Sequence, residues 1–446
     1  MKPSKYTFIF PFTEDESKHV IYNSRTNALA LIENENLTAF KQYCLTGHAL
    51  DDELKNNLIA GGFLLDDDVD EKQSLRYNML RQRYNTSTLT LTIVPTADCN
   101  FRCSYCYEKK SIQELDMSEH VQERLVGFVR QQASVISTLS ITWYGGEPML
   151  ALDTIESLTG KFKKICEEFN VRFYAAIVTN GYLLTEENIK ILKLLDIRSI
   201  QITLDGPPEV HNKRRHLADG SPTFDRIIEN LKAAKGLLSC SVAVRINTDK
   251  KNSERVDEVI SILEENGLLD FVNPYLGYVQ NSNDTYSNML CLPLGEFAET
   301  DLVFKQRMSK HNDQLLLSSY PHLRGCFCSA DSLNSYVVNA DGSLCKCWND
   351  VGIAGKRTAS LIEGEQINPS SLFEYMLYDP TDEEECAECK YLPICMGGCP
   401  SRRLENSEGR CDIMKYKMSD YMKILPKLLR ERNHREATGS ASGTEG

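Results

Sequence analysis

Residues 89–107 read LTLTIVPTADCNFRCSYCY, an alternating apolar run that leads directly into three closely spaced cysteines. Alternation of this kind is typical of a β-strand. Five further strand-like runs follow, with helical patterns between them, at residues 139–143, 172–178, 199–204, 239–248 and 271–279. Regular exchange of strands and helices predicts parallel strands joined by right-handed crossovers. Because six strands fall short of the eight of a complete barrel, we predict an α/β fold with a partial (β/α)6 TIM-like barrel.

The chain of 446 residues is long enough for several domains around this barrel. Residues 1–87 combine strand-like runs, two short helical patterns and a closing strand, which predicts a small winged-helix-like domain. We expect the barrel over residues 88–290 and a cysteine-rich domain over residues 291–425, where the alternation ends. Residues 426–446 are expected to form a C-terminal tail, and its Gly-, Ser- and Thr-rich end from 437 to 446 predicts disorder.

Composition argues against several classes of function. The formal net charge of −13 disfavours sequence-independent binding to nucleic acid, which needs clustered Lys and Arg. No apolar run approaches the ~20 residues that cross a bilayer, and the N-terminus lacks the apolar core of a signal peptide. We therefore expect a cytoplasmic protein without a nucleic-acid or membrane partner, whose 16 cysteines stay reduced. Twelve of them fall in two clusters, which predicts metal ligands.

The first cysteine cluster lies on the loop after the first barrel strand. Cys99, Cys103 and Cys106 are separated by three and two residues, so three thiolates can converge on one iron–sulfur cube and leave one iron open. Structural zinc is the alternative, but it needs a fourth Cys or His, and none is close in sequence. Loops at the carboxyl ends of barrel strands are also where catalytic groups lie.

Together with Tyr105, these cysteines form the pattern Cys-x3-Cys-x-aromatic-Cys, in which the chain resembles the radical SAM superfamily. The resemblance implies a 4Fe–4S cluster whose open iron binds S-adenosylmethionine (SAM). One electron from the cluster then cleaves SAM to methionine and a 5′-deoxyadenosyl radical, which abstracts a hydrogen atom from the substrate. The cofactor carries this chemistry, and the protein supplies its placement.

Later strand ends resemble the SAM-binding segments of the same family. Gly145, Gly146 and Glu147 follow the second strand, and the resemblance implies that they hold the SAM amino group. Further candidate SAM contacts are Tyr105, Asn180, Thr203 (to the ribose) and Arg245, with Asn247 nearby. For the strand-end residues taken singly, loop capping or a solvated side chain is an equally good interpretation. His211 is expected to be packed or hydrogen-bonded and not a proton shuttle.

The C-terminal cysteines match the seven-cysteine pattern of the SPASM extension in every gap. The resemblance implies two auxiliary 4Fe–4S clusters and therefore three clusters in all. In the family's ligand order, the nearer auxiliary cluster is bound by Cys328, Cys347 and Cys399, and the farther one by Cys386, Cys389, Cys395 and Cys411.

The fourth ligand of the nearer cluster stays open between two alternatives. Either a further cysteine supplies it, with Cys326 a better candidate than Cys291 or Cys345, or the iron is free to take a substrate thiolate. Three other cysteines, Cys44, Cys166 and Cys240, fall on apolar faces and are expected to be core residues.

SPASM enzymes mostly modify ribosomally made peptides or proteins, which implies that the chain is a peptide maturase. We interpret it as an enzyme that joins a cysteine sulfur to a carbon in a precursor peptide, forming a thioether crosslink. The leader of that peptide would bind the N-terminal domain, since such domains capture an extended segment along a strand edge. A flavodoxin- or ferredoxin-type protein would donate electrons.

Other functions remain open from the sequence. Within the family, the alternatives are carbon–carbon crosslinking and formylglycine formation by an anaerobic sulfatase-maturating enzyme. The latter enzymes carry an Asp directly after the cysteine that matches Cys347, where this chain has Trp348 and then Asp350. A non-catalytic iron–sulfur sensor would explain the cysteines, but not the Gly-Gly-Glu segment at the barrel rim. No catalytic base is assigned.

Overall fold

The computed structural model describes residues 1–311, 314–364, 367–405 and 409–439. Its N-terminal part consists, in chain order, of β1 (Lys2–Pro3), β2 (Thr7–Pro11), β3 (Lys18–Asn23), β4 (Ala28–Glu33), α1 (Asn34–Thr46), α2 (Asp52–Ala60), β5 (Leu64–Leu65) and α3 (Glu71–Arg83). The strands β2, β3 and β4 form an antiparallel sheet in that order, and β1 pairs with β5. Strands, helices and a closing strand follow one another as predicted, while the winged-helix assignment stays a prediction.

The barrel comprises β6 (Thr88–Ile93), α4 (Glu119–Ala133), β7 (Thr138–Trp143), α5 (Leu152–Phe169), β8 (Arg172–Val178), α6 (Glu186–Leu194), β9 (Ile197–Thr203), α7 (Pro208–Arg214), α8 (Phe224–Leu237), β10 (Ser241–Thr248), α9 (Glu258–Glu265) and β11 (Val272–Tyr278). From β6 to β11, every neighbouring pair of strands is parallel. The predicted α/β fold with six parallel strands is therefore confirmed.

The C-terminal part contains α10 (Leu294–Met308), α11 (Gln314–Leu317), β12 (Ser335–Val338), β13 (Ser343–Cys345), β14 (Ala359–Ser360), α12 (Pro369–Met376), α13 (Glu384–Ala387), α14 (Leu392–Cys395), α15 (Pro400–Leu404) and α16 (Met414–Gly439). The strand β12 pairs in parallel with β6, and β13 and β14 continue the sheet antiparallel. The cysteine-rich segment thus extends the barrel sheet beside its first strand.

Helix packing holds the strand ends at one rim of the barrel. In α5, Ile155, Leu158 and Phe162 recur at helical spacing and are fully buried in the barrel core. Side-chain caps fix where crossover helices begin: Ser118 accepts from the backbone of α4 and Thr185 from that of α6. The loops between strand and helix are therefore held close to the core.

The N-terminal sheet is covered on both faces. One face packs Phe8 and Tyr22 against Met418 and Tyr421 of α16, and the opposite face packs on α1 and α2. The outer edge of β4 pairs with no other strand in the described part of the chain. An unpaired strand edge offers its backbone groups to another extended chain.

Two expectations are corrected or limited by the structure. Cys166 is buried and Cys240 is half-buried against the core, but Cys44 is exposed, as are residues 45 and 46 that follow it at the end of α1. The core assignment of Cys44 was wrong.

Helix α16 runs to Gly439, past the predicted start of disorder at residue 437, and residues 440–446 lie outside the described residues. Among the described residues, no helix has the length and apolar character needed to span a membrane.

Candidate active site

Cys99, Cys103 and Cys106 lie on the loop that leaves β6 at the carboxyl-end rim of the barrel. The three thiols are brought together, since Cys103 and Cys106 both act electrostatically on Cys99. Burial raises the pKa of all three thiols, because a thiolate loses its hydration when it is buried. A nearby positive charge would stabilise the thiolate form. An iron–sulfur cluster would supply that charge, so three convergent buried thiols fit a 4Fe–4S cluster.

The segment Gly145–Glu147 after β7 lies directly against the cysteine loop. The backbone N–H of Glu147 donates to the carbonyl oxygen of Asp98 at 2.8 Å. A Cβ atom on Gly146 would lie 2.0 Å from that same oxygen, and Gly145 has a φ of +112°. Both positions therefore require glycine, and their backbone is held beside the loop that carries the cysteines.

Glu147 is fully buried and uses its carboxylate to join two strand ends. The carboxylate accepts from Thr179 Oγ1 at 2.6 Å, from Asn180 N at 2.7 Å and from Met149 N at 3.1 Å. Burial raises its pKa, and these donors oppose the rise. Asn180 Nδ2 in turn donates to Asn100 Oδ1 at 2.7 Å, on the cysteine loop. These bonds hold the ends of β7 and β8 on the first loop, while a contact with SAM stays a prediction.

The other predicted SAM contacts lie at the same rim. The hydroxyl of Tyr105 accepts from Arg215 Nη1 at 2.8 Å and from Asn247 Nδ2 at 3.0 Å. Asn247 Oδ1 accepts from Arg245 Nε at 2.7 Å, so a chain of hydrogen bonds connects Tyr105 with Arg245. Thr203 is buried at the end of β9.

A buried charge network behind Tyr105 was missed by sequence reasoning. Arg214 donates to Asp205 at 3.1 Å and to Asp249 at 2.7 Å, and its guanidinium lies 4.8 Å from the centroid of the Tyr105 ring. The available signal was that both aspartates come shortly after a strand end. His211 is fully buried and accepts from the backbone N–H of Asp205 at 3.2 Å, which agrees with a packed residue.

Four C-terminal cysteines line one cavity of about 170 Å³. They are Cys386, Cys389, Cys395 and Cys411, accompanied by Arg410 and Lys415. The backbone N–H of Asp412 donates to Cys395 Sγ at 3.4 Å, as backbone donors commonly do around cluster thiolates. Four thiols around one space fit a 4Fe–4S cluster with a cysteine on every iron.

Cys328, Cys347 and Cys399 form a separate group. Cys328 and Cys399 both act electrostatically on Cys347, although the three residues come from different segments of the chain. Burial raises the pKa of the Cys328 and Cys347 thiols. The role of these three cysteines as ligands of one cluster stays a prediction.

Of the three candidates for a fourth ligand, Cys326 shares surroundings with this group. Asp331 acts electrostatically on both Cys326 and Cys328, and the Cys326 thiol donates to the Asp331 carbonyl oxygen at 3.8 Å. The Cys345 thiol donates to the carbonyl oxygen of Cys347 at 3.5 Å, so Cys345 also lies beside this group, whereas the Cys291 thiol donates to the carbonyl oxygen of Ser287 at 3.6 Å.

In the chain outside residues 312–313, 365–366, 406–408 and 440–446, no three His, Cys, Asp or Glu side chains are placed to hold one metal ion.

Comparison with known proteins agrees with this geometry. Residues 93–263 match the family model of the Radical SAM superfamily. The chain is 26% identical over 388 residues to the cysteine-type anaerobic sulfatase-maturating enzyme of Clostridium perfringens (strain 13), covering 78% of this chain and 99% of that protein. It is 23% identical over 403 residues to the radical SAM cyclopropyl synthase TigE of Paramaledivibacter caminithermalis, covering 85% and 83%.

Solved structures share the fold. Native anSMEcpe with bound AdoMet and Cp18Cys peptide has a TM-score of 0.59 at 23% identity, covering 78% of this chain and 99% of that one. Streptococcus suis SuiB has a TM-score of 0.54 at 13% identity, covering 92% of this chain and 100% of that one. SuiB has also been solved with its precursor peptide SuiA, with a TM-score of 0.50 at 14% identity and coverages of 91% and 96%.

Proposed function

Because residues 93–263 are a radical SAM domain and the chain is a radical SAM enzyme, we propose that it matures a ribosomally made peptide. The modification we propose is a thioether crosslink between a cysteine sulfur and a carbon of the same peptide. One observation carries the proposal: the motif cysteines gather into three separate groups, of which the first lies at the barrel rim. A radical-generating centre and two further clusters suit an oxidation that removes a hydrogen atom and then one electron.

Cys99, Cys103 and Cys106 would hold the SAM-binding cluster, and the backbone of Gly145 and Gly146, with Glu147, would receive the SAM amino group. When bound, the cluster and SAM supply a 5′-deoxyadenosyl radical that removes a carbon-bound hydrogen from the peptide. Placement is the contribution of the chain's own residues. The Glu147 carboxylate holds the ends of β7 and β8 against the cysteine loop, so the reacting groups meet without a large loss of entropy.

The C-terminal groups would hold the two auxiliary clusters. Cys328, Cys347 and Cys399 would bind the nearer one, with Cys326 or an open iron at the fourth position, and Cys386, Cys389, Cys395 and Cys411 would bind the farther one. These clusters supply an acceptor for the electron that leaves when the sulfur–carbon bond forms and the thiol proton is released. The peptide therefore loses two hydrogens for each crosslink.

The N-terminal sheet supports recognition of a leader peptide. Ala30 and Leu31 are exposed on β4, whose outer edge has no strand partner in the described part of the chain. An extended peptide added to this edge would gain backbone hydrogen bonds, and its side chains would meet Leu31. The likeness to SuiB, solved with a precursor peptide, supports a peptide partner for this chain as well. A flavodoxin- or ferredoxin-type donor is proposed to supply the reducing electron.

Formylglycine formation on a sulfatase is a second candidate, because the relative from Clostridium perfringens is a sulfatase-maturating enzyme. Against it stands Trp348, which takes the position where those enzymes carry an Asp. Its ring packs on Tyr144 and offers no carboxylate to accept a proton. Carbon–carbon crosslinking is a third candidate, and the cyclopropyl synthase among the relatives keeps it open.

Reduced, anaerobically reconstituted protein incubated with SAM tests the proposal. A radical SAM maturase yields 5′-deoxyadenosine, whereas a non-catalytic sensor yields none. Adding a Cys-containing sulfatase peptide in parallel separates the candidates: an aldehyde in that peptide would favour sulfatase maturation. The thioether proposal predicts no aldehyde there, and a crosslinked product only from the enzyme's own precursor peptide.

A further inference from the structure

We propose that Arg83 and Arg403 are the charge partners of the nearer auxiliary cluster and raise its reduction potential. The inference rests on the proposed function for the presence of a cluster at Cys328, Cys347 and Cys399. It is carried by two buried guanidinium groups that have unused hydrogen-bond donors next to these cysteines.

Arg83 is the last residue of α3 and is 1% exposed. Its Nη1 atom donates to the carbonyl oxygens of Met376, at 3.2 Å, and Tyr378. Its Nε and Nη2 atoms are buried and have no hydrogen-bond partner among the described residues. A buried cation with free donors is costly unless an anion or a strong acceptor faces it.

Arg403 presents the same situation from a different helix. It lies on α15, four positions after Cys399, and its Nη2 atom donates to Asp331 Oδ1 at 3.1 Å. Its Nε and Nη1 atoms are buried without a partner in the described part of the chain, and the guanidinium packs 3.6 Å from the centroid of the Tyr378 ring. Each arginine therefore keeps two buried donor atoms without a hydrogen-bond partner in the described part of the chain.

Both guanidinium groups act on the cysteines of this site. Arg403 donates to the Asp331 side chain, while the backbone N–H of Asp331 donates to the Cys328 carbonyl oxygen at 3.2 Å and its carbonyl oxygen accepts from the Cys326 thiol at 3.8 Å. Arg83 acts electrostatically on Cys326. Sulfides and thiolates of a cluster are acceptors that such donors suit.

The site also contains more positive than negative charge. Lys346 is a third buried cation, but its ammonium is satisfied by backbone carbonyl oxygens, including that of Ser335 at 2.6 Å. Two buried carboxylates oppose these three cations: Asp331, which acts on Lys346, Cys326 and Cys328, and Asp350, which acts on Cys347. The Oδ2 atom of Asp331 has no hydrogen-bond partner among the described residues. A cluster held by thiolates carries net negative charge and would compensate the surplus.

Helix α3 holds Arg83 in place against the segment that contains Cys326 and Cys328. The backbone N–H of Gly325 donates to Gln82 Oε1 at 2.8 Å, and a Cβ atom on Gly325 would lie 2.6 Å from Gln82 Cβ. The backbone N–H of Leu333 donates to the Arg83 carbonyl oxygen at 2.8 Å. These contacts hold the end of α3, and with it the Arg83 backbone, against this segment.

The two buried arginines would affect electron transfer at the nearer cluster. Reduction adds negative charge to a cluster, so fixed positive charges and hydrogen bonds to its sulfurs stabilise the reduced form and raise the potential. A higher potential makes the nearer cluster a better acceptor for an electron released by the substrate.

The test is a redox titration followed by electron paramagnetic resonance on reconstituted protein in which Cys99, Cys103 and Cys106 are replaced by Ala. Only the two auxiliary clusters then contribute to the signal. We expect Arg83→Gln to lower the potential of one cluster, leaving the other potential and the iron content unchanged. Arg81→Gln, two residues earlier and exposed, is the matched control and should shift neither. Unchanged potentials in a fully loaded Arg83→Gln protein would overturn the inference.

Arg403→Gln provides an independent test from a different helix, because it must lower the potential of the same cluster. If Arg83→Gln fails to load iron, Arg403→Gln alone decides, and an unchanged potential contradicts the inference. Replacing Cys328, Cys347 and Cys399 together by Ala separates this question from the proposed function. If that variant keeps all its iron and both signals, no cluster is bound there and the cluster assignment itself is wrong.

Discussion

The rings of Tyr144 and Trp348 lie 4.5 Å apart, centroid to centroid, at an interplanar angle of 41°. Tyr144 directly precedes the Gly145–Glu147 segment, and Trp348 directly follows Cys347. Burial raises the pKa of Tyr144, and Cys106 and Cys347 both act on it. The aromatic pair therefore lies between the first cysteine loop and the group proposed to hold the nearer auxiliary cluster.

Replacing Trp348 should uncouple SAM cleavage from product formation. Trp348→Leu removes an aromatic pair that contributes about 1 kcal/mol. This pair lies between the first cysteine loop and the group proposed to hold the nearer auxiliary cluster. We expect 5′-deoxyadenosine to form within about twofold of the wild-type rate and the yield of modified peptide per SAM to fall about tenfold, which corresponds to ~1.4 kcal/mol. Mass spectrometry of both products gives this ratio. Tyr174→Leu, at an exposed aromatic on β8, is the control, and an unchanged ratio in Trp348→Leu would refute a role for the pair.

Glu147→Gln should damage the SAM site through the strand ends. The glutamine amide keeps one acceptor oxygen, but its NH2 group would face the backbone N–H groups that donate to the carboxylate. Buried donors are then left without an acceptor, which lowers the free energy of unfolding by roughly 1–3 kcal/mol. Thermal unfolding of the reconstituted protein should shift down, and 5′-deoxyadenosine formation should fall at least tenfold. Glu156→Gln, on the exposed face of α5, serves as the control. Wild-type values for both quantities in Glu147→Gln would show that the carboxylate does not hold the rim.

Leader binding should depend on the edge of β4. Leu31 is 42% exposed on that strand, and burying a leucine against a peptide contributes roughly 1.5–3 kcal/mol. Leu31→Asp should therefore weaken binding of the precursor peptide by about tenfold or more, measured by fluorescence anisotropy. Leu45→Asp alters a more exposed leucine, 84% exposed at the end of α1, and should leave affinity unchanged. Equal losses in the two variants would place the leader elsewhere.

Cys326→Ala tests the fourth position of the nearer cluster. Because Cys326 shares surroundings with Cys328, we expect the substitution to change the paramagnetic resonance spectrum of one auxiliary cluster, with little loss of iron from the three remaining ligands. Cys291→Ala should leave the spectrum unchanged. An unaltered spectrum in Cys326→Ala would instead indicate a site with three cysteines and an open iron.

Much of the barrel could be predicted from the sequence because its signals are local. The apolar pattern within each of the six strands predicts that strand. The spacing of Cys99, Cys103 and Cys106 places three thiols on one short loop. Such patterns need no knowledge of distant contacts. The assignment of the C-terminal cysteines to two groups is different, because it is implied by the resemblance to the SPASM extension and not by spacing alone.

The parts that escaped prediction depend on long-range contacts. The strand β12 has four residues and joins β6 from more than two hundred positions away, which no local pattern indicates. From the sequence, Arg214 is an ordinary residue at the end of a helix. Only the folded chain shows that it forms ion pairs with Asp205 and Asp249. Arg83 likewise looks like the solvated end of α3, and only tertiary packing buries it beside Cys326.

The most direct test is the mass of a Cys-containing peptide, encoded by a small open reading frame beside the gene, after anaerobic co-expression with this enzyme. We predict a loss of two hydrogens per crosslink and one fewer cysteine thiol available to iodoacetamide for each. The loss should disappear when Cys99, Cys103 and Cys106 are replaced by Ala. A peptide that loses hydrogens but keeps every thiol free would contradict thioether formation.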